Sequence, residues 1–347
     1  MWVDPFSLRL AAPLSTAAGT ITERRGFLVG VERDGNHGLG EATPLPGWTE
    51  SDEAARQALE DTAADEPLDP DETPAAAHAV DLARLDAAAR RDGQPLAAVL
   101  REDGFETDRP IPESVPVNAT IGDASADETV AAATAAVDEG FAWLKLKVGV
   151  REPERDLTRV QAVHTAVDDG VSLRLDANGA WDRATAKRMV DRLSGMGVEY
   201  LEQPLPADDL AGHATLRGHG VDIAVDESLA ETSIQRVLAA GAADVVVIKP
   251  MAVGGPRRAI DAAAAAREAG VEPVVTTTVD GVVARTAAVH VAAAIPEVTA
   301  CGLSTGSLLA EDLAADPVAV ADGRARLPTG AGLCGDRFDS LWPAPGE

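Results

Sequence analysis

Three carboxylates and three lysines stand at regular places in the middle of this chain. Asp176, Glu202, Asp226 and Lys249 follow one another at intervals of 26, 24 and 23 residues, with Lys145 and Lys147 ahead of them. Each closes a short run of apolar and β-branched residues, so each falls at the same place in its own repeat. A single carboxylate in such a position ordinarily serves as a salt bridge or a helix cap. Three converging on one mouth repel each other, and buried charge is costly unless it is paired or bound to a metal. A hard divalent cation resolves the conflict, Mg²⁺ first and Mn²⁺ as the alternative. Lys145 and Lys147 lie two apart on an extended run, so both side chains leave one face while Leu144, Leu146 and Val148 leave the other. A surface Lys-x-Lys strand is ordinarily a solvated edge. Here the neighbours are apolar, and the chain has only four lysines, the fourth being Lys187, so the inward reading is preferred. Lys249 enters from the far side. A substrate carboxylate on the metal then has a lysine on each side of its α-carbon. Crowded ammonium groups beside a cation lower a lysine's proton affinity toward that of a base, and the cation stabilises the anion formed when the α-proton leaves.

The elements that must position these groups are strands alternating with helices. Strand candidates are residues 115–121, 143–148, 172–176, 198–202, 222–226, 244–249, 272–278 and 298–303, with helical segments such as 182–196 and 234–240 between them. Eight βα units imply a parallel sheet closed into a barrel, with functional residues at the C-terminal strand ends. An open doubly wound sheet is the runner-up, but it would want a glycine-rich phosphate turn, and Ile121-Gly122-Asp123-Ala124 is not one. Residues 1–112 read as a separate α+β domain. It has strands at 27–33 and 39–41 joined by a turn at Asp34-Gly35-Asn36, then helices at 51–64 and 75–91. The catalytic barrel spans 113–310, and the Gly- and Pro-rich segment 311–347 packs back on the first domain.

With 57 acidic against 30 basic residues, the formal net charge is −27. Such a field repels nucleic acid and anionic membranes. A hydrophobic fraction of 46% is too high for disorder, so a heavily carboxylated folded surface is expected, as in cytoplasmic proteins of salt-loving organisms. No apolar stretch approaches the roughly 18 residues of a membrane span. Residues 1–10 show no basic-then-apolar signal sequence, and Cys301 and Cys334 are too few for a disulfide framework. A cytoplasmic enzyme acting on a small carboxylate is therefore expected; the oligomeric state is not readable.

Five motifs carry a resemblance over nearly the whole chain. Leu144-Lys145-Leu146-Lys147-Val148-Gly149, Arg174-Leu175-Asp176-Ala177-Asn178, Glu202-Gln203-Pro204, Asp226-Glu227-Ser228 and Val247-Ile248-Lys249-Pro250 resemble the muconate-lactonizing branch of the enolase superfamily. The resemblance implies a modified TIM barrel, (β/α)₇β, under an α+β capping domain, with Mg²⁺ on Asp176, Glu202 and Asp226. It makes Lys147 the base and Lys249 the opposing group, with Lys145, Asn178 and Glu227 supporting the metal. Within that branch, Pro44-Leu45-Pro46-Gly47-Trp48 resembles the lid loop of the o-succinylbenzoate synthases, although by propensity alone it is an ordinary Pro/Gly turn. Gly302-Leu303-Ser304-Thr305 resembles their eighth strand, and Thr276-Thr277-Thr278-Val279-Asp280 their seventh, where Asp280 replaces the usual glutamate. The substrate-binding residues implied are Pro46, Gly47, Trp48, Thr277, Thr278, Asp280, Gly302, Ser304 and Thr305. Dipeptide epimerases place an Asp-x-Asp at strand eight and muconate cycloisomerases usually a glutamate; this chain has no acid there to receive an ammonium group. Dehydration to o-succinylbenzoate is thus the reading. N-acylamino acid racemisation and muconate-type cycloisomerisation are the enzymatic alternatives. A non-catalytic binding barrel would be marked by loss of a lysine or a carboxylate, and none is lost. His290 reads as a helix residue, and His213 and His219, beside glycine turns, as exposed.

Overall fold

A computed structural model of the chain describes residues 1–16, 19–33, 35–62 and 68–343. The N-terminal part is an antiparallel sheet of β1 (Trp2–Thr16), β2 (Gly19–Arg33) and β3 (Asn36–Ala42), in that order. The turn expected at 34–36 has Gly35 at φ +75°, a left-handed conformation that glycine adopts without strain; Asp34 lies outside the described residues. Three helices follow, α1 (Asp52–Asp61), α2 (Pro74–Asp92) and α3 (Leu96–Gly104). Ser51 caps α1, accepting from the Ala54 amide, and residues 63 and 64 of the helix expected there lie outside the described residues. α2 lies backbone-close on β3: a Cβ at Gly40 would stand 1.8 Å from the Ala79 carbonyl oxygen. Glycine on the strand and alanine on the helix are what allow that approach.

The barrel begins differently from expectation. Residues 115–121 do not form one strand but two, β4 (Ser114–Pro116) and β5 (Ala119–Ile121). Pro116 has no N–H for a continuing ladder, and β4 pairs instead with the C-terminal segment. From β5 the alternation is regular: α4 (Ala126–Asp138), β6 (Trp143–Lys147), α5 (Pro153–Ala166), β7 (Ser172–Asp176), α6 (Arg183–Leu193), β8 (Val198–Glu202), α7 (Leu210–Leu216), β9 (Asp222–Val225), α8 (Ser228–Glu231), α9 (Ile234–Ala239), β10 (Val245–Ile248), α10 (Pro256–Glu268), β11 (Glu272–Val275) and α11 (Val282–Ala294). β5 to β11 form a parallel sheet in sequential order. Closure comes from Cys301 and Gly302, which bridge in parallel to Val117 and Thr276. The expected eighth strand is thus reduced to a two-residue seam, and the barrel is of the (β/α)₇β kind.

Alternation on the strands separates core from mouth. Leu144, Leu146, Leu173, Leu175, Leu201 and Ile223 are at most 1% exposed. On the other face Lys147, Asp176 and Glu202 are successive Cα partners across β6, β7 and β8. Beyond residue 311 the chain divides its contacts. β12 (Val320–Ala321) and β13 (Arg324–Arg326) form a sheet with β4. Farther on, Gly332 bridges Pro95, Arg90 pairs with Asp339 at 2.9 Å, and Trp342 packs edge-on against Trp2.

Candidate active site

One register row supplies the centre of the mouth. Because β6, β7 and β8 are in parallel register, Lys147, Asp176 and Glu202 stand side by side, with Lys145 one inward step below Lys147. Lys145 Nζ lies 2.6 Å from Glu202 Oε1 and 2.9 Å from Asp176 Oδ2. Lys147 Nζ donates to the same Asp176 Oδ2 at 2.7 Å and to Asn178 Oδ1 at 2.9 Å. On the other side Lys249 Nζ donates to Asp226 Oδ2 at 2.7 Å. The six groups of the sequence pattern thus fall into one network of Lys145, Lys147, Asp176 and Glu202 and a separate pair of Lys249 with Asp226. Asn178, left-handed at φ +44°, also donates to Glu227 Oε1 at 2.8 Å and so ties β7's end to β9's.

The network is unevenly charged. Burial alone would lower the proton affinity of Lys145, but Asp176 and Glu202 more than offset it and raise its pKa well above the ordinary amine value. Burial also opposes ionisation of Asp176, yet Lys145 and Lys147 overcome it and hold its pKa below the usual carboxylate range. Glu202 is pushed up to about 7, by burial first and then by Asp176, with Lys145 only partly compensating. Asp226 rises to about 6 through burial, against the pull of Lys249.

Among the described residues no three acidic, His or Cys side chains are gathered as a ready-made metal cage; lysine ammonium groups stand between the carboxylates. The donor set nevertheless fits a hard cation. Glu202 Oε2, Asp226 Oδ1 and Glu227 Oε2 are buried acceptors without a hydrogen-bond partner, and buried polar atoms are normally satisfied.

Of the residues implied for substrate binding, Trp48 touches the lysine–carboxylate centre. In the turn that carries Pro46 and Gly47, the Trp48 and Thr49 amides both donate to the Leu45 carbonyl at 2.9 Å. This turn sets the Trp48 ring over Lys249, with Nζ 3.1 Å from the ring centroid. Thr277 and Thr305 share a hydroxyl contact at 3.2 Å. Gly302 has no room for a side chain, since a Cβ would meet Thr276 Oγ1 at 2.5 Å, and Ser304 is half-buried. Thr278 and Asp280 bond to each other and are buried.

Two residues were misjudged or passed over. His213 is fully buried, not exposed: α7 turns it inward, where its Nδ1 pairs with the Asp209 carbonyl at 2.9 Å. His219 is exposed as expected, and His290 lies in α11. Gln203 had no assigned role, yet its Oε1 accepts the Asp226 amide at 2.9 Å and its Nε2 donates to Ser228 at 3.0 Å. It thereby braces β9's end against β8's. The only sequence signal was its place immediately after Glu202.

Residues 128–336 match the family described as Enolase C-terminal domain-like. The chain is 41% identical to an o-succinylbenzoate synthase of Thermobifida fusca (strain YX), over 60% of this chain and 65% of that enzyme, just under two thirds of its length. It is 35% identical to muconate cycloisomerase 1 of Rhodococcus opacus, over 74% of this chain and 68% of that one. A substrate-liganded L-Ala-D/L-Glu epimerase of Bacillus subtilis superposes with a TM-score of 0.85 at 27% identity, covering 96% of this chain and 97% of the other.

Proposed function

The chain belongs to the enolase superfamily, whose members are Mg²⁺-using enzymes, and from that premise we propose that it is an o-succinylbenzoate synthase. The observation that carries this reading is the strand-eight seam. Gly302 and Ser304 stand where an ammonium-binding substrate would require an acid, and the close Thr276 wall admits no side chain at Gly302. The 41% identity to the T. fusca synthase supports the same choice.

Asp176, Glu202 and Asp226 would hold the metal, a role for which their charge and the unpartnered oxygens of Glu202 and Asp226 suit them. When bound there, Mg²⁺ would supply a counter-charge for the substrate carboxylate and for the negative charge that builds as the α-proton leaves. The substrate is 2-succinyl-6-hydroxy-2,4-cyclohexadiene-1-carboxylate. Lys147, in its neutral form, takes the proton from the carbon bearing the carboxylate. The ring hydroxyl then leaves with that proton as water, its C–O bond breaking while the electrons left by the C–H bond complete the aromatic ring. Lys147 ends the cycle neutral again. Lys249, held between Asp226 and the Trp48 ring, stabilises the anion from the opposite face. Asn178 holds Lys147 from the side and keeps its Nζ aimed at the mouth.

The same two lysines would also serve N-acylamino acid racemisation, where a proton leaves one face and returns on the other. Dehydration of the cyclohexadiene substrate, measured with Mg²⁺ in molar KCl, is expected to exceed N-succinylamino acid racemisation and muconate cycloisomerisation by at least tenfold in kcat/KM. Racemisation or cycloisomerisation without dehydration would overturn the assignment.

A further inference from the structure

A buried polar cluster away from the reacting groups joins the N-terminal sheet to the turn after β11. Arg24, on β2, is 3% exposed. It donates to the Thr43 carbonyl at 2.6 Å, the Pro44 carbonyl at 2.9 Å and the Val279 carbonyl at 3.2 Å. Glu41, on β3, is fully buried. Its carboxylate accepts the backbone amides of Gly281 at 2.6 Å, Val283 at 3.1 Å and Ala284 at 2.9 Å, and also the Thr43 hydroxyl. A side chain at position 281 would press on that carboxylate, with a Cβ 2.9 Å from its oxygens.

Between these anchors Val279 sits at φ +63°. A β-branched residue is a steric outlier there, and such a conformation persists only where its surroundings over-determine it. The Val279 amide donates to Thr277 Oγ1 at 3.3 Å, and Thr277 in turn meets Thr305 at the mouth. Arg24 therefore touches both sides of the opening. Through Thr43 and Pro44 it holds the root of the loop that sets Trp48 over Lys249. Through Val279 it holds the turn that presents Thr277.

We propose that Arg24 and Glu41 are positioning residues that lock the Trp48 loop and the strand-seven turn into one arrangement and thereby set which substrate side chain the mouth accepts. The selectivity clause rests on the dehydration reading above; the lock itself does not. Two measurements separate them. Hydrogen exchange of the ligand-free protein reads the lock: in Arg24→Met, peptides covering residues 43–50 and 276–284 are expected to exchange at least tenfold faster together, with β7 and β8 unchanged. Steady-state kinetics reads selectivity: Arg24→Met is expected to raise KM for the cyclohexadiene substrate at least tenfold while kcat changes less than threefold, and Arg24→Lys to recover part of the loss. Should Arg24→Met fail to fold, Glu41→Gln keeps the side-chain shape without the buried charge, turns one of the two amide-accepting oxygens into a donor, and is expected to raise KM and the exchange of 276–284. Parent-like exchange in both segments would overturn the lock. Faster exchange with parent KM would overturn its role in selectivity. Absence of dehydration by the parent protein would overturn the functional reading alone, leaving the exchange result to decide the lock.

Discussion

His290 offers a direct test of how the C-terminal segment is fastened. The ring is fully buried in α11. Its Nδ1 accepts the Ala97 amide at 3.1 Å, which leaves Nε2 as the donor to the Leu333 carbonyl at 2.6 Å. A ring that accepts at Nδ1 is neutral, and burial, only partly opposed by the Leu333 contact, brings its pKa down to about 4 from 6.5. The unfolded chain therefore takes up a proton at higher pH than the folded one. The stability this group confers is complete above pH 6.5 and is lost as pH falls toward 4. At 1.36 kcal/mol per unit the whole window corresponds to about 3.4 kcal/mol, of which about 2 kcal/mol is lost by pH 5. His290→Gln keeps one donor and one acceptor but does not titrate. It is expected to be less stable than the parent by about 1–2 kcal/mol at pH 7.5. The difference should shrink by about 2 kcal/mol at pH 5, so that the variant equals or passes the parent. Urea unfolding at both pH values and one ionic strength measures it. A difference that stays constant with pH would refute the neutral, Nε2-protonated assignment.

Two further outcomes follow from the barrel mouth. Lys147→Ala is expected to lower kcat by at least about 10³-fold, within the range ascribed to general acid–base groups, while circular dichroism remains that of the parent; undiminished turnover would remove Lys147 from the reaction. Asp226→Asn is expected to weaken Mg²⁺ binding by at least about tenfold in a calorimetric titration, and unchanged affinity would break the three-carboxylate assignment.

The barrel was legible where strand ends carry charge. β7 and β8 match their expected bounds to the residue, because a short strand with its apolar residues buried and a carboxylate at its end has little freedom of register. The first barrel strand was misread because seven residues of strand composition conceal Pro116, which redirects β4 to β13. β1 escaped notice because nothing local distinguishes it. Its outer positions are exposed and it holds Pro5 and Pro13, so its strand character comes from pairing with β2. The site divides in the same way. The carboxylate and lysine positions are periodic along the chain and could be read from spacing. Trp48 over Lys249, and Arg24 on Val279, are pairings between distant segments that no local pattern encodes. His213 was misplaced because the neighbouring glycines, Gly212 inside α7 and Gly218 beyond it, say nothing of which way the helix faces turn.

The scarcity of lysine has a preparative consequence. Three of the four lysines lie in the barrel mouth with side chains 9 to 34% exposed, each bonded to a carboxylate. The fourth, Lys187 on α6, is 62% exposed and pairs with Asp191, one turn on. An amine-reactive dye or resin thus finds Lys187 and the chain's amino terminus long before it finds the mouth. Attachment through side-chain amines would be nearly single-sited and would leave the mouth lysines unmodified.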